Sequence, residues 1–167
     1  MMYYKITISM KNIFKTASIV SVSVGVLFVV LGVWGSFFTR TNVARERITT
    51  PEDASIPNAL VRGPLTLKSQ SDIIRFHTLK ATGGKTYSEM PRQITKLDSE
   101  GRSVLDMQGK PIMIANSARD IWITATVLTT ALNLGIFAYI FSFFVIFIGC
   151  ILGGAGVLFY LLSKKSQ

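Results

Sequence analysis

The residues best suited to chemistry are the string Thr82-Gly83-Gly84-Lys85-Thr86, the histidine His77, two acidic pairs and Cys150. A Gly-Lys-Thr ending is used by phosphate-binding loops, where backbone amides and a lysine cradle phosphates. That loop also needs a glycine five positions before Gly84, where Leu79 stands, together with a strand before it and a helix after it. The string therefore reads as a helix stop followed by a solvated lysine. His77 is the only histidine, which excludes a His-rich zinc site and a two-histidine iron triad within one chain. A serine triad would have to use His77, and no Gly-x-Ser-x-Gly elbow is present. Lying near Ile73, Ile74 and Phe76, His77 is expected to be a partly buried structural residue, with pH sensing or a partner contact as the alternative.

Asp98 with Glu100, and Glu52 with Asp53, have the composition of acid–base pairs. Both pairs sit in polar stretches punctuated by proline or glycine, where solvated turns are the default. Cys150 is the single cysteine. It permits no intramolecular disulfide and no Cys-x-x-Cys chemistry, and its apolar surroundings make it a packing residue. The expectation is a protein that is not an enzyme and takes no cofactor or metal.

The elements that would position these residues follow from the charge distribution. Of 167 residues 49% are hydrophobic and only 16% charged, against about 25% charged in soluble domains. No Asp, Glu, Lys or Arg occurs from Thr16 to Thr39 or from Ile121 to Ser163. Two such runs exclude an ordinary soluble protein and predict a helical membrane protein with a small α+β segment between its spans. The net charge of +9 is no nucleic-acid signature, because positive and negative residues are interspersed between Arg40 and Asp120. Lys5, Lys11, Lys15, Lys164 and Lys165 flank the runs, as cytoplasmic lysines do under the positive-inside bias, close to anionic lipid headgroups.

The first run reads as an uncleaved signal anchor. It is longer than a signal-peptide core and ends in Trp34, Phe37 and Phe38 rather than small residues, and aromatic rings suit the membrane interface. The second run would extend about 65 Å as one helix, roughly twice the hydrocarbon thickness. A hairpin would need a turn near Ile140-Phe141-Ser142-Phe143-Phe144, which is poor turn chemistry. A single helix that starts outside the membrane fits better. Thr126, Thr129, Thr130 and Asn133 form a polar stripe opposite Trp122 and Leu132. Ser117 as N-cap with Asp120 three residues on predicts a start near Ala118.

The predicted organisation is a cytoplasmic tail over 1–15, a first span over 16–39 and an extracytoplasmic segment over 40–117. A protruding helix over 118–133 then continues into a second span over 134–163, with a cytoplasmic tail over 164–167. The protein is placed in the inner (plasma) membrane with both termini cytoplasmic and the central segment outside. Within the middle segment, Thr50-Pro51-Glu52-Asp53 reads as a short capped helical turn. A helix is predicted from Ser71 to Ala81, closed by Gly83 and Gly84. Ser103–Met107 and Lys110–Ile114 read as a hairpin around Gln108-Gly109, with Pro111 confining its strand to an edge. No internal repeat is apparent. Only about a third of this segment is hydrophobic, which is low for an independent fold, so it is expected to pack on the protruding helix, on a partner or on its own copies.

The spans hold no ionisable residue, which argues against proton relays and ion pathways. A polar pore would require several chains around Thr126, Thr130 and Asn133. What the spans do offer is small residues at helical spacing: Ser21, Gly25 and Gly32 in the first, and Gly149, Gly153 and Gly156 in the second. These allow close helix approach, either of the chain's own two spans or of another subunit. Ile74, His77, Tyr87, Trp122, Thr126, Thr130 and Asn133 are the candidate surface for a partner or ligand.

The strings Arg47-Ile-Thr-Thr-Pro-Glu-Asp-Ala54, Ser69-Gln-Ser-Asp-Ile-Ile74, His77 with Gly83-Gly84-Lys85-Thr86-Tyr87, and Ala118-Arg-Asp-Ile121 resemble a family of small actinobacterial membrane proteins. Its members have two spans around an exported segment and no established function. They often carry the label aromatic ring-opening dioxygenase, which the single histidine contradicts as a catalytic description. The resemblance implies the two-span architecture and a recognition surface without a named ligand. Composition and resemblance together lead to two expectations. One is a non-enzymatic accessory or structural subunit that binds a protein partner or itself among membrane lipids. The alternative is a membrane-anchored module for a lipid or small ligand.

Overall fold

A computed structural model describes residues 10–165. Lys5 and the two final residues lie outside that range. The elements in chain order are α1 (Met10–Arg45), α2 (Pro64–Ala81), a 3-10 turn (Tyr87–Glu89), β1 (Gln93–Thr95), β2 (Met113–Ala115) and α3 (Ser117–Lys165). Two helices, α1 and α3, are long and apolar enough to cross a membrane. The residues form two compact units, one joining those up to Glu46 with those from Ile136 onward, the other comprising Arg47–Gly135.

In the first unit α1 runs antiparallel to the later part of α3. It extends beyond the apolar run at both ends, taking in residues 10–15 of the expected tail. The polar exit stays helical because side chains cover their own carbonyls. Thr39 and Thr41 donate to the carbonyls of Gly35 and Phe37, and the Asn42 amide donates to that of Phe38, each at 2.9 Å. The helix stops where Arg47 takes a positive φ of 51°. The single-helix reading of the second run is the observed one, an unbroken 49-residue helix with no turn at Phe141.

The contact between the two helices is built on small residues. A Cβ on Gly25 would stand 2.7 Å from the Gly149 carbonyl oxygen and 2.8 Å from the Gly153 nitrogen. One on Gly32 would meet the Ser142 carbonyl at 2.7 Å, and one on Gly156 the Ser18 carbonyl at 3.1 Å. The buried positions of α1, Ser18, Gly25 and Gly32, are spaced by sevens. So are Ser142, Gly149, Gly156 and Ser163 on α3. A seven-residue period keeps one seam in contact along two helices, and small residues on it let backbone approach backbone. Ser18 takes the place expected of Ser21, which is half-buried.

The second unit has its core where α2, the start of α3 and the 48–61 loop meet. Val61, Leu67, Ile73, Trp122, Ala125 and Leu132 are buried. The expected turn is a single one, with the Ala54 amide on the Pro51 carbonyl at 3.2 Å, and Thr50 does not cap it. Thr50 instead closes a loop: its amide donates to the Ala59 carbonyl at 3.0 Å, and its hydroxyl accepts from the Ala59 amide at 2.9 Å. The Val61 amide bonds to the Ile48 carbonyl at 2.8 Å. Ser69 of α2 anchors this loop by accepting from the Ile56 amide and the Ser55 hydroxyl, both at 3.0 Å.

Helix α2 begins at Pro64, seven residues before the predicted Ser71. Gly63 precedes it with extended backbone. The Thr66 hydroxyl accepts from the Arg62 and Gly63 amides, each at 3.1 Å, and so serves as the cap. The early turns escape a hydrophobic-period reading because, beside Leu67, their buried face carries Ser69 and Ser71, which are small and polar. The carboxyl end closes as expected, with Gly83 and Gly84 at φ 63° and 78° and the Gly84 amide on the Leu79 carbonyl at 2.7 Å. The Gly-Gly-Lys-Thr string thus follows a helix.

At the start of α3 the cap is Asn116 rather than Ser117. Its side-chain oxygen accepts from the Ala118 amide at 3.2 Å, while its side-chain nitrogen donates to the Pro91 carbonyl at 3.0 Å. One residue therefore satisfies the helix end and ties it to the segment before β1. Arg119 strengthens that tie through the Tyr87 and Met90 carbonyls, at 3.1 and 2.6 Å.

Residues 93–115 contain the expected hairpin around Gln108-Gly109 within a larger pattern. β1 and β2 are antiparallel, pairing Thr95 with Met113. Further bridges join Leu97 to Ser103 and Leu105 to Pro111. Three backbone bonds close a ring: Lys96 amide to Ile112 carbonyl at 2.8 Å, Ile112 to Val104 at 2.8 Å, and Val104 to Lys96 at 2.9 Å. Three two-stranded arms radiate from this ring. Contrary to the sequence expectation, an eight-residue repeat underlies it, Leu97-Asp-Ser-Glu-Gly-Arg102 followed by Leu105-Asp-Met-Gln-Gly-Lys110.

The two copies of the repeat have the same turn. Asp98 accepts from the amides of Glu100 and Arg102, both at 2.9 Å. Asp106 does the same with Gln108 and Lys110, both at 2.8 Å. Gly101 and Gly109 sit at φ 78° and 76°, the left-handed position of a three-residue hairpin loop with a bulge. The Arg102 amide, together with that of Glu100 and the Arg102 guanidinium, holds the Asp98 carboxyl below the usual carboxylate range.

Candidate functional site

The expected recognition residues divide among several places in the second unit. On one flank of α2, Lys68, Ser71, Asp72 and Arg75 recur at i, i+3, i+4 and i+7, which aligns them on a single helix face. They face Trp122, Ala125, Thr126, Thr129 and Asn133 of α3, and together these residues line a cleft of about 320 Å³. Ser71 donates to the Asn133 side-chain oxygen at 3.2 Å. The Arg75 guanidinium lies 5.7 Å from the Trp122 ring centre. Lys68 and Asp72 form an exposed ion pair within α2. The cleft thus presents two cations, one anion, hydroxyls and an amide.

Trp122 is itself structural. It is 7% exposed, and its indole N–H donates to the Lys85 carbonyl at 2.8 Å, with the Thr82 hydroxyl at 3.2 Å. It therefore pins the loop after α2 onto α3. Of the other expected residues, Ile74 and His77 line a more apolar groove of about 470 Å³ with Ile121, Thr124 and Leu128. Thr130 is exposed. Tyr87 lies elsewhere, beneath Arg119, whose guanidinium carbon is 3.8 Å from its ring centre.

His77 is exposed rather than partly buried. Its Nε2 lies 2.7 Å from the Asp53 carboxylate, so it fastens the 48–61 loop to α2. The hydrogen bond from His77 lowers the Asp53 pKa below its ordinary value, with its electrostatic attraction and that of Lys80 adding to the effect. A carboxyl whose folded value is depressed contributes stability above its unfolded value and loses it as the pH falls through the folded one. Acidification below about pH 4 is therefore expected to loosen the loop. The protection factors of the Thr50 and Val61 amides should fall there in the native protein. In Asp53→Asn exchange should be faster at neutral pH and lack that acid step.

Of the glycines, Gly25, Gly32, Gly149 and Gly156 face the partner helix of the first unit, whereas a Cβ on Gly153 meets nothing within 4 Å. The first unit also has an apolar groove of about 510 Å³ beside Gly32, Trp34, Gly35 and Ser142. Sequence reasoning missed Lys68, Asp72 and Arg75, for which the i, i+3, i+4, i+7 spacing of polar residues was the available signal. It missed the three-arm segment because the repeat is only eight residues long. Among the described residues, no three His, Cys, Asp or Glu side chains gather as metal ligands. No family model matches the chain, and no curated protein or solved structure matches it, so its surfaces have to be read from their own chemistry.

Proposed function

We propose that this is a non-enzymatic membrane protein, anchored by α1 and α3, whose middle unit serves as an extracytoplasmic docking surface for another protein molecule. The anchoring rests on the charge-free runs within α1 and α3, with Lys11, Lys15, Lys164 and Lys165 at the ends that would face the cytoplasm. The observation that carries the docking role is the three-arm segment. None of its residues from Gln93 to Ala115 is buried, yet it displays Leu97, Leu105, Met107 and Met113 to the exterior. Small two-stranded pieces are marginal alone in water, and a cluster of exposed large apolar residues marks an interaction surface. The reading is tested by extracting the protein from its native membrane in mild detergent and weighing the intact assembly by native mass spectrometry. A complex above the monomer mass is expected, and a bare monomer under all mild conditions overturns the reading.

A second reading rests on the α2–α3 cleft, whose converging Lys68, Asp72, Arg75, Thr126 and Asn133 suit a small polar ligand with an anionic group. Small molecules carried through the native extraction, seen as adducts lost on Arg75→Ala, would favour it.

A further inference from the structure

We infer that the cleft between α2 and α3 is a binding site for a singly charged phosphodiester, the group carried by the headgroups of membrane phospholipids. The inference rests on the second reading above and names the ligand. Its first support is a set of donors left over once the internal bonds are made. Among the described residues no carboxylate pairs with the Arg75 guanidinium, which is placed 5.7 Å from the Trp122 ring centre. The side-chain oxygen of Asn133 is taken by Ser71, so what Asn133 offers the cleft is its N–H groups, beside the Thr126 hydroxyl. An arginine fork, an amide and a hydroxyl around one volume suit an oxyanion with several acceptor oxygens.

Charge selects among oxyanions. Lys68 is already paired with Asp72, so the two cations and one anion of the cleft leave a single positive charge. A phosphomonoester carries about −1.5 to −2 at neutral pH, which would leave negative charge unbalanced beside Asp72. A phosphodiester carries one negative charge and matches the cleft. The volume of about 320 Å³ lies at the small end for organic ligands and holds a phosphate with a small substituent.

Depth points to the source of the diester. From Ser71 to Thr82 α2 advances eleven residues, while the bonded partner on α3 moves back eleven, from Asn133 to Trp122. The two helices are therefore antiparallel, and the amino end of α2 lies toward the apolar run that opens at Leu134. Along the helix Lys68 stands about 4.5 Å from Ser71 in that direction, and Arg75 about 6 Å in the other. The two cations thus bracket the level at which α3 changes from polar to apolar. With α3 anchored as proposed, that level is the headgroup layer, about 5–8 Å deep on each face of a bilayer. The phosphates nearest to Lys68 and Arg75 there are those of lipids.

The test uses the full-length chain in a neutral detergent, titrated separately with four probes in a calorimeter. These are phosphatidylglycerol, its deacylated headgroup glycerophosphoglycerol, inorganic phosphate and acetate. One phosphatidylglycerol per chain should bind, at least about tenfold more weakly in Arg75→Gln and in Lys68→Gln, and unchanged in Lys80→Gln outside the cleft. Asp72→Asn frees Lys68 and should tighten binding several-fold, a gain that damage to the fold would not produce. The free headgroup should bind at least about tenfold more weakly than the lipid. Equal affinity for the two upholds the phosphodiester site and overturns its lipid source. Arg75-dependent binding of phosphate or acetate, with neither diester bound, overturns the inference and leaves the anionic-ligand reading standing. No Arg75-dependent binding of any of the four overturns both.

Discussion

Replacing Gly25 by isoleucine should separate α1 from α3. The new Cβ would fall 2.7 Å from the Gly149 carbonyl oxygen and 2.8 Å from the Gly153 nitrogen. Both are backbone atoms of a helix, so no side chain can swing aside and the helices must move apart. Overpacking of this kind costs about 1–3 kcal/mol, and more where the clash is with backbone. With both helices in the lipid proposed above, close approach would be the principal source of their association, and no hydrophobic term would compensate. Cysteines at Phe14 and Phe159, whose rings stack 6.3 Å apart, would report the effect in a Cys150→Ser background. They should cross-link readily in the parent and at most weakly with Gly25→Ile. Gly153→Ala should leave the cross-link intact and stabilise α3 by about 0.5–1 kcal/mol, because its Cβ points into open space. Equal loss in both variants would show that the seam is not where the backbone contact places it.

Trp122→Ala is expected to have the largest effect on the second unit. A buried tryptophan replaced by alanine costs about 3–5 kcal/mol, and here the Lys85 carbonyl also loses the donor that holds it. Lys80 and Lys85 are already exposed, and release of the loop after α2 would free the backbone beside them to enter a trypsin active site. Where cleavage follows the open population, a loss of that size should raise the initial rate at these lysines by about a hundredfold to a few thousandfold. Trp122→Phe would keep most of the packing and lose only the hydrogen bond, at a cost of about 1 kcal/mol, with a correspondingly smaller rise. An unchanged cleavage rate in the alanine variant would remove Trp122 from the framework of the unit.

Features that repeat at helical period or carry strong punctuation were readable without coordinates. The two charge-free runs became α1 and α3, Phe141 lies within unbroken helix, and Gly83-Gly84 ends α2. Where structure depends on small polar residues the reading failed, for a physical reason. Ser69 and Ser71 are buried because they satisfy the 48–61 loop and Asn133, and a hydrophobic-period argument counts them as exposed. Asn116 displaced Ser117 as the cap because its second polar atom also reaches Pro91, a contact 25 residues away in sequence. The first half of the seven-residue seam was visible as Gly25 and Gly32, but its continuation through Ser18 was hidden by attention to four-residue spacing. Of the candidate surface, Trp122, Thr126 and Asn133 share the cleft with Ser71 and Arg75. Ile74 and His77 lie in the second groove, and Tyr87 belongs to neither, since pairing across elements is not encoded in local spacing.

The ring of Lys96, Val104 and Ile112 also bears on the order in which the chain takes shape. Its three links span 8, 8 and 16 residues, and both complete arms close through loops of three residues. Contacts so near in sequence have little loop-closure entropy to overcome, and hairpins of this size form in about 1–10 μs. Synthesis delivers about 5–20 residues per second, so the segment has time to fold while α3 is still being made. The surface proposed for docking would then exist on each nascent chain before α3 is complete.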